Sequence, residues 1–270
     1  MRVAKAIIPV AGRGSRMRAL AGGLPKELLD VGGKALIAHA VEGIAGSGIG
    51  QIAIVINPAK ESIGRFLLER YPGGRLEACE LTFIGQAQPL GVADAISCCR
   101  NFTDGEPFAL VMPDNVLLEG TPVIGQLLPC FDRHGLDVLG AIRLDGAESH
   151  LFGNVGFLEV EAVPGEEKRL FRVAHYSDKR REPVEWQGGT NVLKGFGCGI
   201  YLPHFFDLIE EWRPRLMGEV DDVPILQALA REGRLLGVEL VGRGFDAGNP
   251  EGFRAATSFV ADRGKHPQGV

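Results

Sequence analysis

Apolar residues in the first half of the chain fall into short unbroken runs that alternate with amphipathic stretches. Ala6 to Val10, Gln51 to Asn57, Leu81 to Gln86, Phe108 to Met112 and Val138 to Leu144 read as strands. Between them, Lys34 to Ile44, Ser62 to Arg70, Gly91 to Cys99 and Val123 to His134 read as helices. Unbroken apolar runs suit strands buried on both faces, so the alternation predicts a mainly parallel sheet with helices on each side. The second half changes character. Val155 to Val163 and Leu170 to Tyr176 alternate as antiparallel strands do, a polar stretch (SDKRREPVEWQGG) intervenes, and Phe196 to Leu202 returns to strand. Helices are expected at His204 to Trp212, Val223 to Glu232 and Glu251 to Asp262, a strand at Leu235 to Phe245, and a frayed tail in GKHPQGV. No internal repeat or linker interrupts the pattern. The fold class read from it is α/β: one domain over residues 1–270, with a Rossmann-like mixed, mainly parallel sheet flanked by helices and a small antiparallel part.

Composition narrows the function. With 270 residues, 45% of them hydrophobic, the chain can bury a substantial core. A net charge of −5 argues against a general nucleic-acid binder, so a basic feature has to be local. One is: Arg13, Arg16, Arg18, Lys26 and Lys34 stand against only Glu27 and Asp30. The five cysteines form no CxxC pair and no zinc spacing, and His39, His134, His150, His175 and His204 have no metal spacing either. Met1-Arg2 leads straight into a strand-like run, and no apolar stretch nears the ~20 residues of a membrane span. A cytoplasmic protein with no membrane partner is the expectation.

The local basic feature is a glycine loop directly after the first strand, where backbone amides can converge on an anion or a base edge. A Walker A loop requires GxxxxGK[ST], but Gly33-Lys34 is followed by Ala35 and has Leu28 where the first glycine belongs. A dinucleotide loop requires GxGxxG, and Gly12-Arg13-Gly14-Ser15-Arg16-Met17 puts methionine at the third glycine. Asn57 also ends the second strand where such a fold needs an acid. What survives is an arginine and a lysine flanking a glycine turn, an arrangement suited to a triphosphate.

These residues resemble the sugar-1-phosphate nucleotidylyltransferases, and among them the bacterial UTP–glucose-1-phosphate uridylyltransferases. Their signature, A-G-x-G-[TS]-R followed at fixed spacing by P-K-E, is matched by Ala11-Gly12-Arg13-Gly14-Ser15-Arg16 and Pro25-Lys26-Glu27. Further stations follow in order: Gln86 to Gly91, the strand ending in Pro113-Asp114, Phe152-Gly153, Tyr176 to Lys179, Gly199-Ile200-Tyr201, Gly218-Glu219 and Asp246-Ala247-Gly248. The resemblance runs from about residue 5 to about 261. It implies the nucleotide-diphospho-sugar transferase fold, with a nucleotide-binding half over about 5–115 and a sugar-binding half over about 116–261. It implies nucleotide contacts from Ala11, Gly12, Gly14, Glu27, Gln86 and Gly91, the last two with Gly12 holding a pyrimidine. Sugar contacts would come from Gly153, Asp178, Lys179, Gly199 and Tyr201. Arg16, Lys26, Asp114 and Lys179 would carry the chemistry, and Asp114 with Asp246 would hold Mg²⁺, which prefers hard oxygen ligands. The expected partners are small molecules, a nucleoside triphosphate and a sugar-1-phosphate, in a homodimer or homotetramer.

The sequence also departs from that pattern. Ala19, Ala21 and Gly22 replace a proline, a threonine and a lysine, Asp178 replaces a longer glutamate, and Asp30 and Ala35 replace prolines. The readings left open are uridylyl transfer from UTP to glucose-1-phosphate, thymidylyl transfer or another sugar specificity, and a nucleotide-sugar-binding paralogue with impaired catalysis.

Overall fold

The computed structural model describes residues 2–77, 79–153, 156–178, 191–215 and 218–265. In chain order its strands are β1 Lys5–Pro9, β2 Asp30–Val31, β3 Lys34–Ala35, β4 Gln51–Ile56, β5 Arg75–Leu76, β6 Cys79–Gly85 and β7 Phe108–Val111. They continue with β8 Asn115–Leu118, β9 Asp137–Asp145, β10 Leu158–Ala162, β11 Leu170–Tyr176, β12 Asn191–Tyr201, β13 Leu235–Glu239 and β14 Arg243–Asp246. The helices are α1 Arg18–Ala21, α2 Leu36–Gly46, α3 Glu61–Arg70, α4 Val92–Ser97, α5 Arg100–Thr103, α6 Val123–His134, α7 His204–Trp212, α8 Val223–Arg231 and α9 Pro250–Lys265.

Among the described residues the main sheet has ten strands, in the order β10-β11-β13-β9-β12-β7-β1-β4-β6-β5. β1 lies parallel to β4 and β7, β4 to β6, and β9 to β13, while β12 runs against both its neighbours. β10 and β11 form the antiparallel edge. The expected α/β sheet is present. The unbroken apolar runs are explained by its two covered faces: Ile7 and Ile8 are both 0% exposed, yet belong to different cores. Ile8, Ile54 and Ile142 share one core with Ile37, Val41 and Phe131 of α2 and α6. Ile7, Val55 and Phe108 share the other with Phe205 and Ile209 of α7 and Leu226 and Leu229 of α8. Among the described residues no helix is long and apolar enough to cross a membrane.

Three elements differ from the sequence reading. Leu235 to Phe245 is not one strand: it breaks at Gly242, whose φ of 135° favours glycine, and its second part, β14, leaves the main sheet to pair with β8. The helix expected over Gly91 to Cys99 is shorter, α4 covering Val92–Ser97, and α5 follows it as a separate turn at Arg100–Thr103. Lys34 and Ala35 belong to a β2–β3 hairpin rather than to α2; Gly32 and Gly33 turn it with φ of 69° and 81°.

Candidate active site

The glycine loop follows β1 at the edge where β4, β6 and β7 also end. Gly14 takes φ 61°, ψ 29° and starts the turn of Ser15–Met17. A side chain there would come 3.6 Å from the carbons of Lys26, so the aliphatic stem of that lysine lies against the loop. Among the described residues nothing would meet an added Cβ at Gly12 within 4 Å. Ala11 is buried at 3% exposure, and Met17 is fully buried. Glu27, expected beside the nucleotide, faces inward instead: both its oxygens accept from Lys60 Nζ, at 2.9 and 2.8 Å. Lys60 also donates to the Val10 carbonyl at 2.9 Å, tying the strand end to the Pro-Lys-Glu turn. Burial of a charged pair in this way requires mutual compensation, which is why the two come together. Sequence reasoning missed Lys60, because nothing in its local stretch marks it as buried.

Lys26 Nζ pairs with Asp114 Oδ2. Burial opposes the charge on Lys26, but Asp114 and Glu27 together hold its pKa above the ordinary lysine value. Burial likewise opposes the charge on Asp114, and Lys26 followed by Arg16 holds its pKa below the usual carboxylate range. Asp114 precedes β8 and Asp246 ends β14. The register places Asn115 opposite Asp246, and the Ala247 N–H donates to the Asp114 carbonyl at 2.7 Å. Asp246 is oriented through both oxygens, Oδ2 accepting from the Gly153 N–H at 2.7 Å and Oδ1 from the Gly248 N–H at 2.9 Å. Burial and the neighbouring Asp114 push its pKa up.

The two carboxylates converge on the space that Gly248 leaves. A Cβ there would collide with Asp114 Oδ2 and lie 2.9 Å from Asp246 Oδ1. Among the described residues no third His, Cys, Asp or Glu joins them. Two hard oxygen donors fit magnesium, which takes most of its shell from water and phosphate oxygens. Arg16 is exposed, and its Nη1 lies 3.6 Å from where a Gly153 side chain would start, so it borders the same space.

On the far side of the loop, Gln86 follows β6 and is 3% exposed. Its Nε2 donates to Asp94 Oδ2 at 2.6 Å and to the Gly91 carbonyl at 3.2 Å. Gly91 opens α4 with φ 120°, and a side chain there would strike the backbone of Val220, with its nitrogen at 2.7 Å. Glycine is thus required at 91 by close packing on the segment before α8.

The candidates on the sugar side make different contacts. Gly153 lies beside Asp246 and Arg16. Asp178 is exposed and accepts from Gln227 of α8 at 2.7 Å. Tyr201, implied as a sugar contact, is 3% exposed, and its ring packs 4.5 Å from Phe205 and 6.0 Å from Phe108. Gly199 makes room for that ring, which lies 2.5 Å from its missing Cβ. Lys179 lies outside the described residues. Lys194 of β12, which sequence reasoning missed, is 5% exposed with Nζ 5.0 Å from the Phe157 ring centre. Its pKa falls to about 8, mainly through burial, despite the charge of Asp246.

Residues 5–171 match the nucleotidyl transferase family, and the chain belongs to it. The chain is 28% identical to a UTP–glucose-1-phosphate uridylyltransferase of Bacillus subtilis, over 98% of this chain and 93% of that protein. It is also 28% identical to one of Pseudomonas aeruginosa, over 95% of each. A crystal structure of UDP-glucose pyrophosphorylase complexed with UDP-glucose shares the fold, with a TM-score of 0.81 at 22% identity, over 97% of this chain and 100% of that one.

Proposed function

We propose that this nucleotidyl transferase family member joins the uridylyl group of UTP to glucose-1-phosphate, forming UDP-glucose and releasing pyrophosphate. The observation that carries the reading is the convergence of Arg16, Lys26, Asp114 and Asp246 at the C-terminal edge of the parallel strands, where open α/β sheets bind ligands. The names of the relatives supply the substrates. No side-chain nucleophile is needed, because an oxygen of the sugar phosphate attacks the α-phosphorus as its bond to the β-phosphate oxygen breaks. The protein has to align two polyanions and offset the charge that collects between them.

In this reading Gly12 and Gln86 hold the uracil, Arg16 binds the β- and γ-phosphates, and Lys26 spans the α-phosphate and the attacking oxygen. Gly153 and Asp178 border the sugar, and Lys179 grips its phosphate. Asp114 and Asp246 are the residues that would hold Mg²⁺, which supplies charge neutralisation on the phosphates when bound. The backbone N–H groups of Gly153 and Gly248 keep the Asp246 carboxylate aimed at that place. The reading extends to a cytoplasmic homodimer or homotetramer, which light scattering on the purified protein checks.

The direct test measures pyrophosphate release with Mg²⁺, offering UTP, dTTP, CTP, ATP and GTP each with glucose-1-phosphate and then with other sugar-1-phosphates. UTP with glucose-1-phosphate is expected to react fastest. Faster release with a different pair moves the substrate assignment, and silence with every pair overturns the transfer reaction.

A further inference from the structure

The amide of Gln86 has one orientation that its surroundings accept. The two groups it meets, the Asp94 carboxylate at 2.6 Å and the Gly91 carbonyl at 3.2 Å, are both acceptors. Turning the amide over would set its oxygen against a carboxylate at hydrogen-bond distance, so the NH₂ faces inward. The oxygen is then the end left for another molecule; among the described residues no group donates to it. Asp94 is itself held in place. Its Oδ1 accepts from Arg213 Nη1 at 2.7 Å, and Arg213 Nη2 donates to Ser97 Oγ at 2.8 Å. Asp94 sits in the first turn of α4 and is 9% exposed, whereas Arg213 arrives from the end of α7, remote in the chain. Charge-assisted bonds of this geometry are the strong ones, so the brace outlasts rearrangement of a lone glutamine.

We propose that Asp94, held by Arg213, is a positioning residue that selects the base: it obliges Gln86 to present an acceptor, so the base has to offer an N–H. The proposal rests on the transferase reading only in placing the base beside Gln86. Uracil and thymine carry a hydrogen on N3. Cytosine has an acceptor there, which would meet the glutamine oxygen unpaired, and sites built around a specific hydrogen bond reject the ligand that cannot make it. Asp94 therefore favours UTP and dTTP over CTP and does not separate the first two.

Calorimetric titration of the wild-type protein with UTP and CTP reads this without turnover. UTP is expected to bind at least about tenfold more tightly. Asp94→Asn supplies a donor as well as an acceptor and leaves only the longer Gly91 contact against turning of the Gln86 amide, so the UTP:CTP ratio falls at least about tenfold, partly through tighter CTP binding. In Q86E/D94N the carboxylate at position 86 can only accept, from position 94 and from the base, and the preference for UTP returns. A merely structural role for Asp94 would weaken both nucleotides alike. The proposal is overturned if the wild type binds the two equally, prefers CTP or binds neither, or if D94N, with an unchanged circular dichroism spectrum and Tm, keeps the wild-type ratio. Selective UTP binding with no pyrophosphate release from any sugar phosphate would overturn the transferase reading instead and leave the role of Asp94 standing.

Discussion

The loop edge beyond β1, β6 and β7 and the wall built by β11 and β12 hold their candidate residues in opposite ways. At the loop edge the polar groups are pinned: Lys26 by Asp114, Glu27 by Lys60, Gln86 by Asp94, and Asp246 by two backbone N–H groups. At the wall, Gly199 and Tyr201 are absorbed into packing, and Asp178 is an exposed carboxylate held by Gln227. Charge fixed before a ligand arrives does not have to reorganise during reaction, which is where electrostatic catalysis gains most. On the proposed reaction, rate would rest on the loop edge and the wall would supply shape.

The largest effect expected from this contrast is at Lys26. Lys26→Ala should lower kcat by about 10²–10³-fold, as loss of a preorganised cation does, while circular dichroism reports an intact fold. Turnover within a few-fold of wild type would end the contrast. Lys60 comes next, and its effect is on stability. Lys60→Met leaves Glu27 buried without its partner and should cost about 3–5 kcal/mol in urea unfolding, most of it regained in E27L/K60M. An equal loss in the double variant would show that the pair does more than compensate buried charge.

Tyr201 probes the wall. Tyr201→Ala should cost about 3 kcal/mol through the cavity it leaves, whereas Tyr201→Phe should keep the KM for the sugar phosphate within about twofold. A large KM rise in the phenylalanine variant would return the ring to the sugar site. The smallest effect lies outside both regions, at Glu42 of α2. Burial alone would raise its pKa, but bonds from Lys34, Tyr71 and Arg70 bring it from 4.5 to about 2. The folded value lies below the unfolded one, so this stabilisation is present above about pH 4.5 and fades as pH falls toward 2. The Tm gap between wild type and E42Q should be widest near neutral pH and close over that interval; a constant gap would rule the charge out as its source.

Much of the molecule was legible in the sequence. Unbroken apolar runs marked strands covered on two faces, and spacing alone singled out Gly14, Arg16 and Lys26, since a glycine turn and the lysine packed against it lie within one short stretch. The resemblance implied ligand contacts for Glu27 and Tyr201, whose side chains pair with Lys60 and pack on Phe205, because motif position does not report which way a side chain faces once its element is docked. Sequence reasoning missed Lys60 and Lys194, whose burial comes from elements distant in the chain.

By itself the sequence determined the alternation of strand and helix, the glycine loop and the order of its charged stations, because backbone conformation and burial periodicity are properties of short windows. Tertiary structure alone decided that β14 leaves the main sheet to pair with β8, which brings Asp246 beside Asp114, and that Arg213 reaches Asp94 behind Gln86. Those contacts join residues far apart in the chain, and only the crossing of packed elements sets the distance between them.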